Sequence, residues 1–100
     1  MNPNKTNKPC VYITTSKGRG VVYIGVTADL SKRIWKHKHG MTEGIVKKYQ
    51  VNQLVHYEWF DTMEEAASRE LQLRHWKRAW KNDLVTTNNP YWKDLSHELW

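Results

Sequence analysis

The sequence predicts an α+β fold: a small, mostly antiparallel three-stranded sheet flanked by helices, in the order β-β-α-β-α-α. Three observations carry this. Two short apolar runs, Cys10-Val11-Tyr12-Ile13 and Val21-Val22-Tyr23-Ile24-Gly25, flank the polar, glycine-broken Ser16-Lys17-Gly18-Arg19-Gly20, which is the pattern of a β-hairpin. Gln53–Phe60 (QLVHYEWF) alternates as a third strand. Elsewhere, apolar residues fall at helical spacing behind recognisable caps.

Residues 1–9 are polar with two prolines and read as a flexible tail. In the hairpin, side chains alternate faces, so Tyr12 points away from Val11 and Ile13, and Tyr23 away from Val22 and Ile24. In a matching register both phenols share one face. Asp29 caps a helix over 30–39 that Gly40 stops. Leu30, Ile34 and Trp35 supply its buried stripe, while Lys32, Arg33, Lys36 and Lys38 leave the rest cationic. Arg33 and His37 lie one turn apart, beside the tyrosines. Residues 41–52 form a connection with a helical turn around 44–49. Thr62-Met63-Glu64-Glu65 is a capping box that opens a helix to about Trp76, and 77–84 continues as a second helical segment after a bend. Residues 86–100, with Asn89-Pro90 and Tyr91-Trp92, are expected to wrap irregularly and dock by their aromatics. The chain is thus one domain over 10–95 with a short C-terminal end, 96–100, and no repeat or linker.

Six Trp and five Tyr in 100 residues are needed mostly for a small core. No apolar run approaches the 18 residues or so of a membrane helix, and no hydrophobic segment near the start suggests a signal peptide. The lone Cys10 cannot form an internal disulfide, which points to a reducing, cytoplasmic setting. A net charge of +6 favours an anionic partner, nucleic acid being the commonest.

Five residues could carry chemistry, each with an ordinary alternative. Glu70 falls on or beside the apolar stripe of its helix, where a carboxylate must be paired or bind a metal. It either pairs with Arg74 at i,i+4 or offers an oxygen to Mg²⁺ or Mn²⁺. Arg33 is either one more solvated charge or a bidentate phosphate clamp. His37 is either idle or a proton acceptor near neutrality. Tyr12 and Tyr23 either pack or act as phenols tuned by nearby cations.

The order and spacing of these residues resemble the GIY-YIG nuclease superfamily. Val11-Tyr12 is similar to the end of the first motif and Tyr23-Ile24-Gly25 is the second. Asp29-Leu30, Arg33 and His37 match the helix that follows, and Glu70 sits within the later helix at 66–73. Asn89-Pro90, Trp92 and Asp94-Leu95 resemble the tail of the small stand-alone bacterial endonucleases (URI-domain type), so the likeness covers roughly 10–95. The resemblance implies a phosphodiester hydrolase acting on DNA with one divalent metal, Mg²⁺ or Mn²⁺. In it Tyr12 would be the general base, with His37 accepting or relaying its proton. Tyr23 would position water or phosphate, or take the base role itself. Arg33 would stabilise charge on the scissile phosphate, its loss costing roughly 10²–10³ in rate. Glu70 would hold the metal. Two departures stand out: Cys10 replaces the glycine that opens the first motif, and Val26 replaces a frequent lysine.

Without an added recognition domain, the expected substrate is branched, nicked or damaged DNA rather than a fixed sequence, with RNA left open, in a repair or recombination setting. Lys32, Lys36, Lys38, Lys47 and Lys48 are the expected nucleic-acid contacts, and no membrane partner is expected. Two rival readings are a non-catalytic nucleic-acid-binding module on the same fold and a protein-interaction domain working through Trp92 and Trp100.

Overall fold

The computed structural model describes residues 7–100, so most of the expected tail, residues 1–6, lies outside the described residues. Three strands form one sheet: β1 (Cys10–Thr15), β2 (Val22–Thr27) and β3 (Gln53–Trp59). Both pairings are antiparallel, in keeping with the mostly antiparallel sheet that the sequence predicts, and β1 is central, in the order β2-β1-β3. The hairpin turn is a short 3-10 segment, Lys17–Arg19, with Gly18 at a φ of 84° that favours glycine. Ser16 holds the turn shut: its hydroxyl accepts from the Val21 amide at 2.9 Å.

Strand alternation splits the core in two. On one face Val11, Ile13, Ile24 and Val55 meet Ala66, Leu73 and Val85 from the later helices and Trp92 from the C-terminal wrap. On the other, Cys10, Tyr12 and Leu54 meet Leu30, Ile34 and Leu99. A register shift at Ile13/Thr14 leaves Val55 as an extra residue in β3, turned to the first of these clusters.

Helix α1 (Leu30–Lys38) starts where Asp29 accepts from the Lys32 amide at 3.2 Å. Its buried stripe is Leu30, Ile34 and His37, at i, i+4 and i+7. Trp35 does not belong to it: one residue round the helix from Ile34, it is half exposed and stacks on His39 at 4.1 Å. The expected turn in 41–52 is α2 (Gly44–Lys48). Helix α3 (Met63–His75) begins at the expected cap, where the Thr62 hydroxyl accepts from the Glu65 amide and donates to its carboxylate. Trp76 and Lys77 then take extended backbone angles, which breaks the helix before α4 (Arg78–Asn88), longer than the sequence suggests.

The C-terminal wrap docks by one of its aromatics. Tyr91 is 78% exposed and Trp100 54%, so neither anchors it. Trp92 does, buried with its indole N–H on the Thr86 hydroxyl at 2.9 Å, and a final 3-10 segment (Leu95–Leu99) packs Leu99 into the second core. Polar side chains do the rest along the β3 edge. Asn89 donates to the Val55 carbonyl at 3.1 Å, and Asp94 accepts from the Leu54 amide at 3.2 Å. With Trp92 inside the fold, the surface proposed for a protein-interaction role through Trp92 and Trp100 loses half its basis.

Candidate active site

Tyr12, Tyr23 and His37 come together on the α1 face of the sheet. The register pairs Thr14 with Tyr23 and Tyr12 with Gly25, so both phenols do share a face. The ring centres of Tyr12 and Tyr23 lie 6.3 Å apart, and those of His37 lie 5.7 Å from Tyr12 and 6.1 Å from Tyr23. The Tyr12 ring lies directly over Gly25: a Cβ there would sit 2.3 Å from its Cζ and Oη. This contact is the reason β2 carries glycine at that place.

The three rings differ in environment. Tyr12 is 1% exposed, and burial pushes its phenol above the ordinary tyrosine range. The neighbouring Tyr23 adds to that rise and the Arg33 guanidinium opposes it. Tyr23, by contrast, is only partly buried. His37 is buried, and its Nδ1 lies 3.0 Å from the Val51 carbonyl, an acceptor, so Nδ1 carries the hydrogen and Nε2 keeps its lone pair. Burial lowers its pKa below the ordinary histidine value; the bond to Val51 partly offsets this and Arg33 lowers it further. The imidazole is therefore neutral at neutral pH.

Arg33 stands one turn before His37 on α1, exposed and close enough for its charge to act on both Tyr12 and His37. Glu70 arrives from α3, buried in the stripe Ala66-Glu70-Leu73, with its charge felt at Tyr12. Its carboxylate is ion-paired with Arg74, the i,i+4 partner, whose side chain is 64% exposed. Among the described residues no three His, Cys, Asp or Glu side chains converge on a metal position. A divalent ion at Glu70 would thus complete its shell with phosphate and water oxygens, a habit of Mg²⁺ and one that a single carboxylate fits.

The expected nucleic-acid lysines divide. Lys32, Lys47 and Lys48 are exposed, and Lys47 lines a cavity of about 270 Å³ with His37 and Gln50. Lys38 is occupied: its Nζ bonds Asp94 at 2.5 Å and the Asn52 carbonyl at 3.1 Å. Two cations outside the expected nucleic-acid set, Arg74 (expected only as the partner of Glu70) and Lys81, share a cavity of about 300 Å³ with Tyr23. Both are visible in the sequence as charges at 74 and 81, but the break at Trp76–Lys77 between them hides which way each faces. Val26 packs against the first core cluster, on the face away from the two tyrosines. Cys10 is fully buried, and burial pushes its thiol up to about 12, so it is an inert packing group.

Two tyrosines and a histidine gathered on one face of a three-stranded antiparallel sheet, with an arginine and a glutamate nearby, form the candidate site, and sequence comparison gives the family. The model of the GIY-YIG catalytic domain matches residues 8–83, and the chain belongs to that family, one of nucleases. It is 36% identical over 80 residues to a UPF0213 protein of Staphylococcus saprophyticus, covering 80% of this chain and 96% of that one. A UPF0213 protein of Haloquadratum walsbyi is 34% identical over 75 residues, covering 75% and 83%. The solution NMR structure of a UPF0213 protein from Bacillus halodurans is similar at a TM-score of 0.56 and 30% identity, covering 87% of this chain and 92% of that. Among the described residues no helix is long and apolar enough to cross a membrane.

Proposed function

We propose that the protein is an endonuclease that hydrolyses DNA phosphodiester bonds with the help of one divalent metal, selecting DNA structure rather than sequence. The observation that carries this is the convergence of Tyr12, Tyr23 and His37 within 6.3 Å on one sheet face, with Arg33 and Glu70 in electrostatic reach.

In this reading His37 is the final proton acceptor. Its Nδ1–H is committed to Val51, so the free Nε2 can take a proton without any change of tautomer. Tyr12, protonated at neutral pH because it is buried, relays the proton of the attacking water to His37 rather than waiting as a phenolate. Tyr23, more open to solvent, positions the water or the phosphate oxygen. Arg33 faces the charge that builds on the scissile phosphate and is worth roughly 10²–10³ in rate. Glu70 would hold Mg²⁺ or Mn²⁺, which supplies Lewis-acid polarisation of the phosphate and eases departure of the 3′-oxygen. Arg74 must release Glu70 when a metal binds, and its exposed side chain is free to do so.

The test is cleavage of supercoiled plasmid, single-stranded DNA, a fork and a four-way junction with Mg²⁺, Mn²⁺ or EDTA, using wild type and Glu70→Ala. The expected result is cutting that needs both metal and Glu70. Full cutting by a folded Glu70→Ala would overturn the assignment, and metal-independent binding without cutting would mark a non-catalytic module.

A further inference from the structure

The break between α3 and α4 leaves an aromatic slot that the proposed chemistry does not use. Trp76 is partly sunk against the first core cluster, with the Arg69 guanidinium 5.2 Å from its ring centre. Trp80, in the first turn of α4, stands 52% exposed at 84° to Trp76, ring centres 6.1 Å apart. Between them opens a mostly apolar cavity of about 300 Å³, walled by Leu84, Thr87 and Asp83. A half-exposed tryptophan on a helix surface keeps apolar area in water, at a cost that a bound partner would remove.

The charges around the slot indicate what that partner is. Lys77 Nζ lies 5.8 Å from the Trp80 ring centre. Lys81, the next residue after Trp80, donates to the Arg74 carbonyl at 3.3 Å and lines the cavity that Arg74 shares with Tyr23. Aromatic slot and candidate active site are thus joined by a run of cations. Arg78 is not part of it, since its guanidinium is held by the Arg19 carbonyl and the Asn82 side chain. Asp83 is the acidic group in the slot's lining. A flat aromatic face beside phosphate-binding cations suits a nucleobase and its backbone. Inside an intact duplex, base faces are hidden by stacking, so away from its ends an unpaired nucleotide is what offers one.

We infer that the Trp76–Trp80 slot seats an unpaired base of the substrate strand, stacked on Trp80, while Lys77 and Lys81 hold its phosphates on the way to Tyr23. This rests on the nuclease reading and names its substrate class: DNA with a single-stranded arm, such as a fork or flap. The test is binding, read by fluorescence anisotropy in EDTA so that no cleavage intervenes, of a labelled fork and of a blunt duplex of equal length. Wild type is expected to prefer the fork. Trp80→Ala should weaken fork binding at least about fivefold and leave the duplex unchanged, while Trp80→Phe keeps most of the preference. Lys81→Ala should lower the salt dependence for the fork by about one phosphate contact. A circular-dichroism melt checks that the variants stay folded. Equal affinity of wild type for fork and duplex, or of Trp80→Ala and wild type for the fork, would overturn the inference while leaving the nuclease reading standing. So would a dimer, seen by sedimentation, that Trp80→Ala dissolves with fork binding intact. Failure of wild type to bind any nucleic acid would instead sink the nuclease reading itself.

Discussion

Replacing Gly25 by alanine probes the candidate site without touching any group with chemistry of its own. The added Cβ would stand 2.3 Å from Tyr12 Cζ and Oη and 2.7 Å from Cε1, whereas ordinary contact begins near 3.4 Å. The Tyr12 ring must retreat by about 1 Å, but it is 1% exposed and closed in by Leu30, Ile34, Leu54 and Leu99. Overpacking of this kind costs about 1–3 kcal/mol. For a domain of this size each kcal/mol is worth roughly 4–8 °C in Tm. A 1 Å displacement of a reacting group costs about 10² in rate. Two measurements check this: a thermal melt, and the single-turnover cleavage rate of the substrate found with wild type. Gly20→Ala is the control, since its Cβ would meet only the Ser16 hydroxyl at 3.6 Å, and it should leave both unchanged within about 0.5 kcal/mol. The double variant Gly25→Ala with Tyr12→Leu should recover much of the stability, because the clash is with the ring, yet none of the activity. If Gly25→Ala melts and cleaves like wild type, the ring does not rest on Gly25 and the account of the site is wrong.

Two pH-dependent behaviours also follow from the site and the sheet. Because burial lowers the His37 pKa, its proton is bound more tightly in the unfolded chain, so stability should fall as pH drops below about 6.5, and NMR titration should place the His37 midpoint below that value. Arg33→Gln should move that midpoint up; a midpoint above 6.5 in wild type would refute the neutral-acceptor role. On the other sheet face the His56 ring, 2.8 Å away, and the Arg69 guanidinium hold the Glu58 carboxyl at about 2. A carboxylate with a depressed pKa stabilises the fold above its unfolded value, near 4.3, and that contribution is lost as pH falls toward 2. After allowance for solvent screening it amounts to about 1–2 kcal/mol, so Glu58→Gln should flatten the acid limb of the stability curve between pH 4.5 and 2. An unchanged slope would remove that pair from the account.

The sequence by itself determined the sheet, the hairpin and most caps, because these depend on neighbours a few residues apart. Alternation put Tyr12 and Tyr23 on one face, Asp29 and Thr62 capped their helices, and the tyrosine, arginine, histidine and glutamate spacing disclosed the family. Tertiary structure decided what each of those groups meets. Trp35 and Tyr91 are large aromatics like Trp92, yet of the three only Trp92 is buried, since helix phase and the path of the C-terminal wrap set which ring reaches the core. Lys38 reads like its basic neighbours until the fold delivers Asp94, 56 residues later, to its ammonium group. Likewise, nothing local tells His37 that Val51 will fix its tautomer, or places Arg74 and Lys81 beside Tyr23 across the break after α3. Burial, charge pairing and proton affinity are properties of a three-dimensional neighbourhood, and that neighbourhood exists only once the helices have packed on the sheet.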